Sequence, residues 1–415
     1  MTDDPTFPVL HGRPRRGWLN DPNGLCRIDG CYHVFFQFNP DAPVHDQIAW
    51  GHISSRDLLH WAEEPVALVP RPGQVDAHGC WSGCLVVNDG VPTAIYTAVR
   101  ADPTDAEVTL ATGERDLRRW SQGTGIVGRP DDPEISEVRD PFVFHLDGVR
   151  YAVQGAGRAT TDGRPQLLCY RCDDLSSWVP LGALLTGDDP IAAKVANASI
   201  WECPNLFELD GRWVLVISLW RAASDGVGML SGVRYLTGAL EHRGEGLRFV
   251  PASGGDLDSG PAYYAPQVLA EPDRVLLWGW AWELDRTPEQ TAAAGWAGSL
   301  TFPRELSLRD GELIARPAAE LLGLRREMLG PAQPITQRAF ELVADGPVEL
   351  SLTVDGITTT VIGAAFFESG RARILVDGSM VEAYGASRTF TTRTYPTADS
   401  VWSATGATEA YRLDL

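Results

Sequence analysis

An all-β fold, a five-bladed β-propeller followed by a small C-terminal β-sandwich, is predicted by two markers that recur in phase along the chain. The first is an Asp at a tight turn between two strand-like runs: Ile28-Asp29-Gly30, Asn88-Asp89-Gly90, Leu146-Asp147-Gly148, Leu209-Asp210-Gly211 and, in a weaker form, Pro272-Asp273-Arg274. These turns follow one another at intervals of 60, 58, 63 and 63 residues. The second is Asp57-Leu58-Leu59-His60-Trp61, repeated as Asp116-Leu117-Arg118-Arg119-Trp120 and Asp174-Leu175-Ser176-Ser177-Trp178, at intervals of 59 and 58. Asp-Gly between apolar runs is a hairpin signal because a type I′ turn needs positive φ at both central positions. A period of this length with several short strands per unit suggests propeller blades, and five turns give five of them. The alternative is a β-sandwich whose hairpins are evenly spaced by accident.

The strand-like runs are rich in β-branched and aromatic residues, as in Cys31-Tyr32-His33-Val34-Phe35-Phe36 and Trp213-Val214-Leu215-Val216-Ile217. In each unit the segment before the turn is expected to be the innermost strand, its start facing the axis. The periodicity fades after about Pro317, and 318–329 reads as a short helix or linker. Strands and turns resume beyond it, for example Arg373-Ile374-Leu375-Val376-Asp377-Gly378 leading into Val381-Glu382-Ala383-Tyr384. The expected division is therefore a propeller over 1–320 and a linker with a β-sandwich over 321–415.

A chain of 415 residues with 44% apolar content can bury one large core and one small one. No stretch is long and apolar enough to span a bilayer as a helix. The start, Met1-Thr2-Asp3-Asp4-Pro5, lacks the basic and apolar regions of a signal peptide, so a cytoplasmic protein is expected. Seven cysteines without a secretory signal argue against a disulfide framework. The net charge of −20 makes nucleic acid and anionic membrane poor partners and favours a neutral substrate. Among 35 cationic residues Lys194 is the single lysine, which leaves little room for Schiff-base or Walker-type chemistry.

Seven or eight residues before each turn stand Asp21, Ser82, Asp140, Glu202 and Ala265. Three carboxylates at one phase of a closed ring would point at a common axis. Cleaving a glycosidic bond needs an acid to protonate the leaving oxygen and a carboxylate to attack, or to activate water at, the anomeric carbon. A further carboxylate can hold sugar hydroxyls as charge develops. Glu202, between Trp201 and Cys203, is expected to be the group whose proton is retained by an apolar site crowded with like charge. Asp140 follows Arg139, but strand neighbours face opposite ways, so a direct pair is not assured. Taken singly, an Asp near a turn is more often a local cap; three in phase are not.

These segments resemble glycoside hydrolase family 32, the β-fructofuranosidases. The resemblance lies in Trp18-Leu19-Asn20-Asp21-Pro22-Asn23-Gly24, Arg139-Asp140-Pro141 and Glu202-Cys203-Pro204, three boxes in order. Phe36-Gln37-Phe38-Asn39-Pro40, Trp50-Gly51-His52, Trp81-Ser82-Gly83, Gly295-Trp296-Ala297-Gly298 and Pro303-Arg304-Glu305-Leu306 support it, as do Val376 to Ser379 and Val381 to Gly385 in the last module. The resemblance implies a five-bladed propeller joined to a β-sandwich. It also implies Asp21 as nucleophile, Glu202 as general acid/base and Asp140 as transition-state stabiliser. Asn20, Gln37, Trp50, Trp81, Ser82, Arg139 and Trp280 match positions lining the fructose site. The implied reaction is a two-step displacement with retention at a terminal fructosyl unit of sucrose or a short fructo-oligosaccharide, with no metal and no organic cofactor. Cys84 stands where Trp-Ser-Gly is usually followed by Ser, and Ala262 where many members have Asp; both bear on leaving-group preference.

Other signals fail on context. Gly123, Gly125 and Gly128 spell G-x-G-x-x-G without a preceding strand or following helix. Cys169 and Cys172 have no second pair at zinc spacing and read as small buried residues. The Arg-rich stretch from Arg13 to Arg16 reads as solvated surface, and a homodimer through the sandwich stays open. Two rivals remain: a fructosyltransferase with the same nucleophile, and a non-catalytic fructan-binding propeller.

Overall fold

The computed structural model describes residues 4–224, 228–367 and 370–415. Up to Pro317 its long strands fall into five consecutive antiparallel groups of four, ordered from the axis outwards. The innermost strands are Gly17–Ile28, Gly79–Asn88, Glu137–Leu146, Ile200–Leu209 and Tyr263–Ala270. Each packs on the next, and the last returns to the first, closing a ring. The seam is stitched by Trp296–Ala297, which pairs in parallel with Gly17 and Trp18, and by Ser299–Leu300, which pairs with Trp280 and Ala281.

The turn chemistry explains the repeat. Asp29, Asp89, Asp147 and Asp210 take φ of 50, 49, 51 and 51°, and the following glycines 77, 81, 79 and 73°. Both central residues are thus left-handed, the type I′ geometry that matches strand twist. The fifth turn differs: Ala270 pairs with Val275 across a wider loop closed by Glu271 N donating to Arg274 O at 2.8 Å. Arg274 stands where the others have Gly, and a side chain resists positive φ. The second marker is a turn between outer strands. Its Asp accepts backbone N–H bonds, as from His60 to Asp57 at 2.9 Å and from Ser176 to Asp174 at 2.9 Å, while Leu58, Leu117 and Leu175 plug into the core. Gly157, opposite Ile200, lets the third and fourth groups join; a Cβ there would lie 2.3 Å from Ser199 O.

Beyond Pro317 a 3-10 helix, Ala319–Leu324, leads into Arg325–Leu329, which is already a strand rather than linker because it pairs with Glu409–Leu413. It edges a six-stranded sheet that faces a three-stranded one over Phe340, Leu342, Ile374, Val376 and Trp402. A buried charge cluster clamps this sandwich to the ring. Arg304 reaches Asp258 and Glu382, each at 2.7 Å. His11 bridges Asp377 at 2.7 Å and Glu382 at 3.0 Å. Among the described residues no helix is long and apolar enough to cross a membrane.

Candidate active site

Every innermost strand carries a β-bulge at the same depth, marked by register shifts between Asn20 and Pro22, Cys80 and Gly83, Glu202 and Asn205, and Tyr264 and Gln267, and by the shift opposite Asp140 and Pro141. In four of them a left-handed residue precedes a proline: Asp140 at φ 59°, Cys203 at 46°, Ala265 at 44° and Asp21 at a borderline 22°. Proline lacks the N–H that a ladder would need, so it suits a bulge, and the bulge turns the preceding side chain towards the axis.

The bulges correct one expectation. Position by position the deeper tier is Asp21, Ser82, Asp140, Cys203 and Ala265; Glu202 stands one residue earlier, level with Asn20, Trp81, Arg139 and Tyr264. Counting from the turns concealed this because the first strand has a second irregularity between Asn23 and Cys26. That extra residue gives Asp21 the same count as Glu202 although the two are not equivalent. The acids therefore meet on two levels.

Asp21 is the most heavily served. Ser82 Oγ donates to its Oδ2 at 2.6 Å, Gln37 Nε2 to the same oxygen at 3.0 Å, and Asn20 Nδ2 to Oδ1 at 3.0 Å. Asp140 Oδ2 accepts the Cys203 N–H at 2.8 Å, and the Cys203 thiol lies 3.6 Å from both Asp21 and Asp140. Glu202 Oε1 accepts from Arg139 Nη1 at 2.8 Å and Oε2 from the Tyr264 hydroxyl at 2.7 Å. Arg139 thus reaches across to Glu202 instead of pairing with its neighbour Asp140. Its other nitrogen, Nη2, forms an ion pair with Glu137, and its Cζ lies 5.8 Å from the Trp81 ring centre.

Burial and the nearby Glu202 charge push Asp21 up to about 6 against its hydrogen bonds. Burial, then Glu202, pushes Asp140 up to about 7. Beneath them the axis is plugged by amides that cross between strands. Gln267 Nε2 donates to Gly83 O at 2.7 Å, Asn205 Nδ2 to Pro266 O at 2.8 Å, and a cavity of about 10 Å³ is left among Asn23, Ser82, Asp140 and Cys203. The ring is a funnel closed at its base.

Around the mouth runs an aromatic wall. Trp280 meets Trp18 edge-on at 5.8 Å, Trp18 meets His45 at 6.0 Å, and His45 meets Trp81 at 5.9 Å. Trp50 does not join it. That side chain is fully buried and donates Nε1 to Trp81 O at 3.0 Å, so it holds Trp81 in place rather than lining the cavity. Ala262 is buried, its backbone tied to Thr391 and Trp282, and Cys84 lies in the core between the second and third groups. Arg13 is buried rather than solvated, its guanidinium over Trp296 at 4.5 Å. Sequence reasoning passed over Tyr264, Glu137 and the Cys203 thiol as site residues. Tyr264 could have been found from its place one residue before Ala265 in the repeat, and Glu137 from its spacing of two before Arg139, which puts both on one face.

A carboxylate held by three donors, near a carboxyl that is oriented by an arginine and a tyrosine, with a third acid close to both, is equipped for attack and proton transfer at one sugar carbon. The chain is similar to the sucrose-6-phosphate hydrolase of Klebsiella pneumoniae, 34% identical over 411 residues that cover 92% of this chain and 86% of that one. It is likewise 34% identical over 371 residues to the raffinose invertase of Escherichia coli, covering 84% and 72%. Among solved structures, the Bombyx mori GH32 beta-fructofuranosidase BmSUC1 superposes with a TM-score of 0.81 at 25% identity, covering 99% of this chain and 94% of that one. The profile of the glycosyl hydrolases family 32 N-terminal domain matches residues 11–317, the ring that carries all three acids, and the chain accordingly belongs to that family and is a glycoside hydrolase.

Proposed function

We propose that this enzyme is a retaining, exo-acting β-fructofuranosidase that hydrolyses terminal non-reducing β-D-fructofuranosyl residues of sucrose or short fructo-oligosaccharides. The convergence of Asp21, Asp140 and Glu202 at the closed end of one funnel carries this reading, since a blind site admits a chain end and not a chain middle. The names of the relatives supply the sugar.

Asp21 attacks the anomeric carbon. Its three donors orient the carboxylate, and Ser82, Gln37 and Asn20 also face the sugar. Glu202 protonates the departing oxygen. Water, deprotonated by the same Glu202, then releases fructose with net retention, which requires the two carboxyls to stand about 5–5.5 Å apart. Asp140 holds fructose hydroxyls and strengthens that hold as positive charge develops at the ring. Trp81 and Trp280 supply apolar faces at the mouth, and Arg139 orients Glu202.

The test compares sucrose, sucrose 6-phosphate, raffinose, inulin and levan, with Asp21→Ala and Glu202→Ala as controls. Fructose of retained configuration, released after the leaving group has departed, is the expected product. Longer oligomers at high sucrose would replace hydrolysis by transfer, and full activity in Asp21→Ala would remove the nucleophile from this account.

A further inference from the structure

Glu202 has to bring a proton into the first step, yet both groups that touch its oxygens are donors. Arg139 Nη1 and the Tyr264 hydroxyl favour the ionised carboxylate. An uncompensated guanidinium in a desolvated funnel would strip that proton. The surroundings of Arg139 supply a compensating charge. Its Nη2 meets the Glu137 carboxylate. Glu137 and Arg139 lie two apart on the same strand, so both point to the axis side. They are also similarly buried, at 9% and 6% exposed. Glu137, Arg139 and Glu202 thus form an acid–base–acid chain at the level of the leaving group.

We propose that Glu137 is a positioning residue for the acid: it takes up most of the charge of Arg139, so that the guanidinium orients Glu202 without emptying it of its proton. The inference rests on the assignment of Glu202 given above. The other charged or titratable groups facing Glu202 are Asp21 from the first innermost strand, Asp140 from the third, Tyr264 from the fifth and Cys203 on its own strand. The second strand contributes Trp81, which carries no charge. Asp21 helps retain the proton only until it is esterified; Glu137 contributes the same charge in both half-reactions. Among the described residues Arg139 is the sole cation that touches the cluster, so its neutralisation governs the alkaline side of the reaction.

The experiment is the pH dependence of kcat/KM for sucrose in the wild type, Glu137→Gln and Glu137→Asp. Loss of the charge in Glu137→Gln is expected to move the alkaline limb down by about one pH unit, the size of effect a neighbouring charge exerts. Glu137→Asp, which keeps the charge, restores most of the wild-type profile. On an aryl β-fructofuranoside whose leaving group needs no proton, the displacement should vanish. A uniform loss at every pH, or a change confined to KM, would overturn the proposal by making Glu137 a scaffold or sugar-binding residue. If Glu137→Gln does not fold, Glu137→Ser removes the same charge and carries the same comparison. Wild-type activity in Glu202→Ala would instead refute the acid assignment on which the inference stands.

Discussion

Two buried clusters of ionisable side chains in this molecule are built from the same parts and behave oppositely. In the clamp between ring and sandwich, Arg304 and His11 face Asp258, Glu382 and Asp377, and each carboxylate meets the guanidinium or the imidazole directly. Burial there works against Glu382, but Arg304 and His11 prevail and hold it down at about 2. At the axis, among the described residues, the three acids have one cation in contact, Arg139, which touches Glu202 and is divided with Glu137. Burial wins, and Asp21 and Asp140 rise to about 6 and about 7. Desolvation is similar in the two places; the supply of counter-charge is not. Where it is complete the cluster is an adhesive, and where it is short the cluster can exchange protons near neutral pH.

The contrast breaks most sharply if one charged side chain is neutralised in each cluster. Asp21→Asn is expected to lower kcat by at least about 10³-fold, since nucleophile and charge are lost together. Its stability should not fall and should rise by about 1–3 kcal/mol near neutral pH, because an acid raised on folding is destabilising once it ionises. Urea unfolding alongside activity checks both halves. Arg304→Met in the clamp should do the reverse, costing about 3–5 kcal/mol by stranding Asp258 and Glu382, with the soluble fraction keeping its affinity for substrate. A large loss of stability in Asp21→Asn, or none in Arg304→Met, would erase the distinction.

Smaller effects sharpen it through pH. Asp21 has to be ionised to attack, so kcat/KM should fall about tenfold per pH unit below the raised value near 6, the apparent constant belonging to the cluster rather than to one residue. His11 works in the other direction. Burial opposes its charge, but Asp377 and Glu382 outweigh that and raise its affinity for a proton. Its stabilising contribution is therefore complete below the ordinary histidine range and is lost as pH rises through the raised folded value. The urea midpoint of the wild type should decline over that alkaline window, and His11→Gln should flatten the decline.

Much of this was legible along the chain because it is local. Asp29-Gly30 and its repeats specify a turn through two left-handed residues, and Asp57 to Trp61 specifies another through a capping carboxylate and a buried leucine. The Asp-Pro and Cys-Pro pairs likewise mark bulges, since proline leaves an innermost strand no alternative. Three acids on an axis follow from those signals and from the closing of a ring. Which level each acid occupies does not. One extra residue between Asn23 and Cys26 changes the count from the turn, and strand parity then misreads Glu202 as the equivalent of Asp21.

What the sequence by itself determined is the sequence of turns and bulges, the residue types offered to the axis, and so the class of chemistry. Only the tertiary structure decided that Arg139 serves Glu202 and Glu137 rather than Asp140, that Trp50 backs Trp81 from within the core, and that Tyr264 and Cys203 complete the site. Those choices depend on distances between strands some sixty residues apart, which local backbone preference does not encode, and on how the burial of each charge is balanced by whatever the neighbouring strand presents.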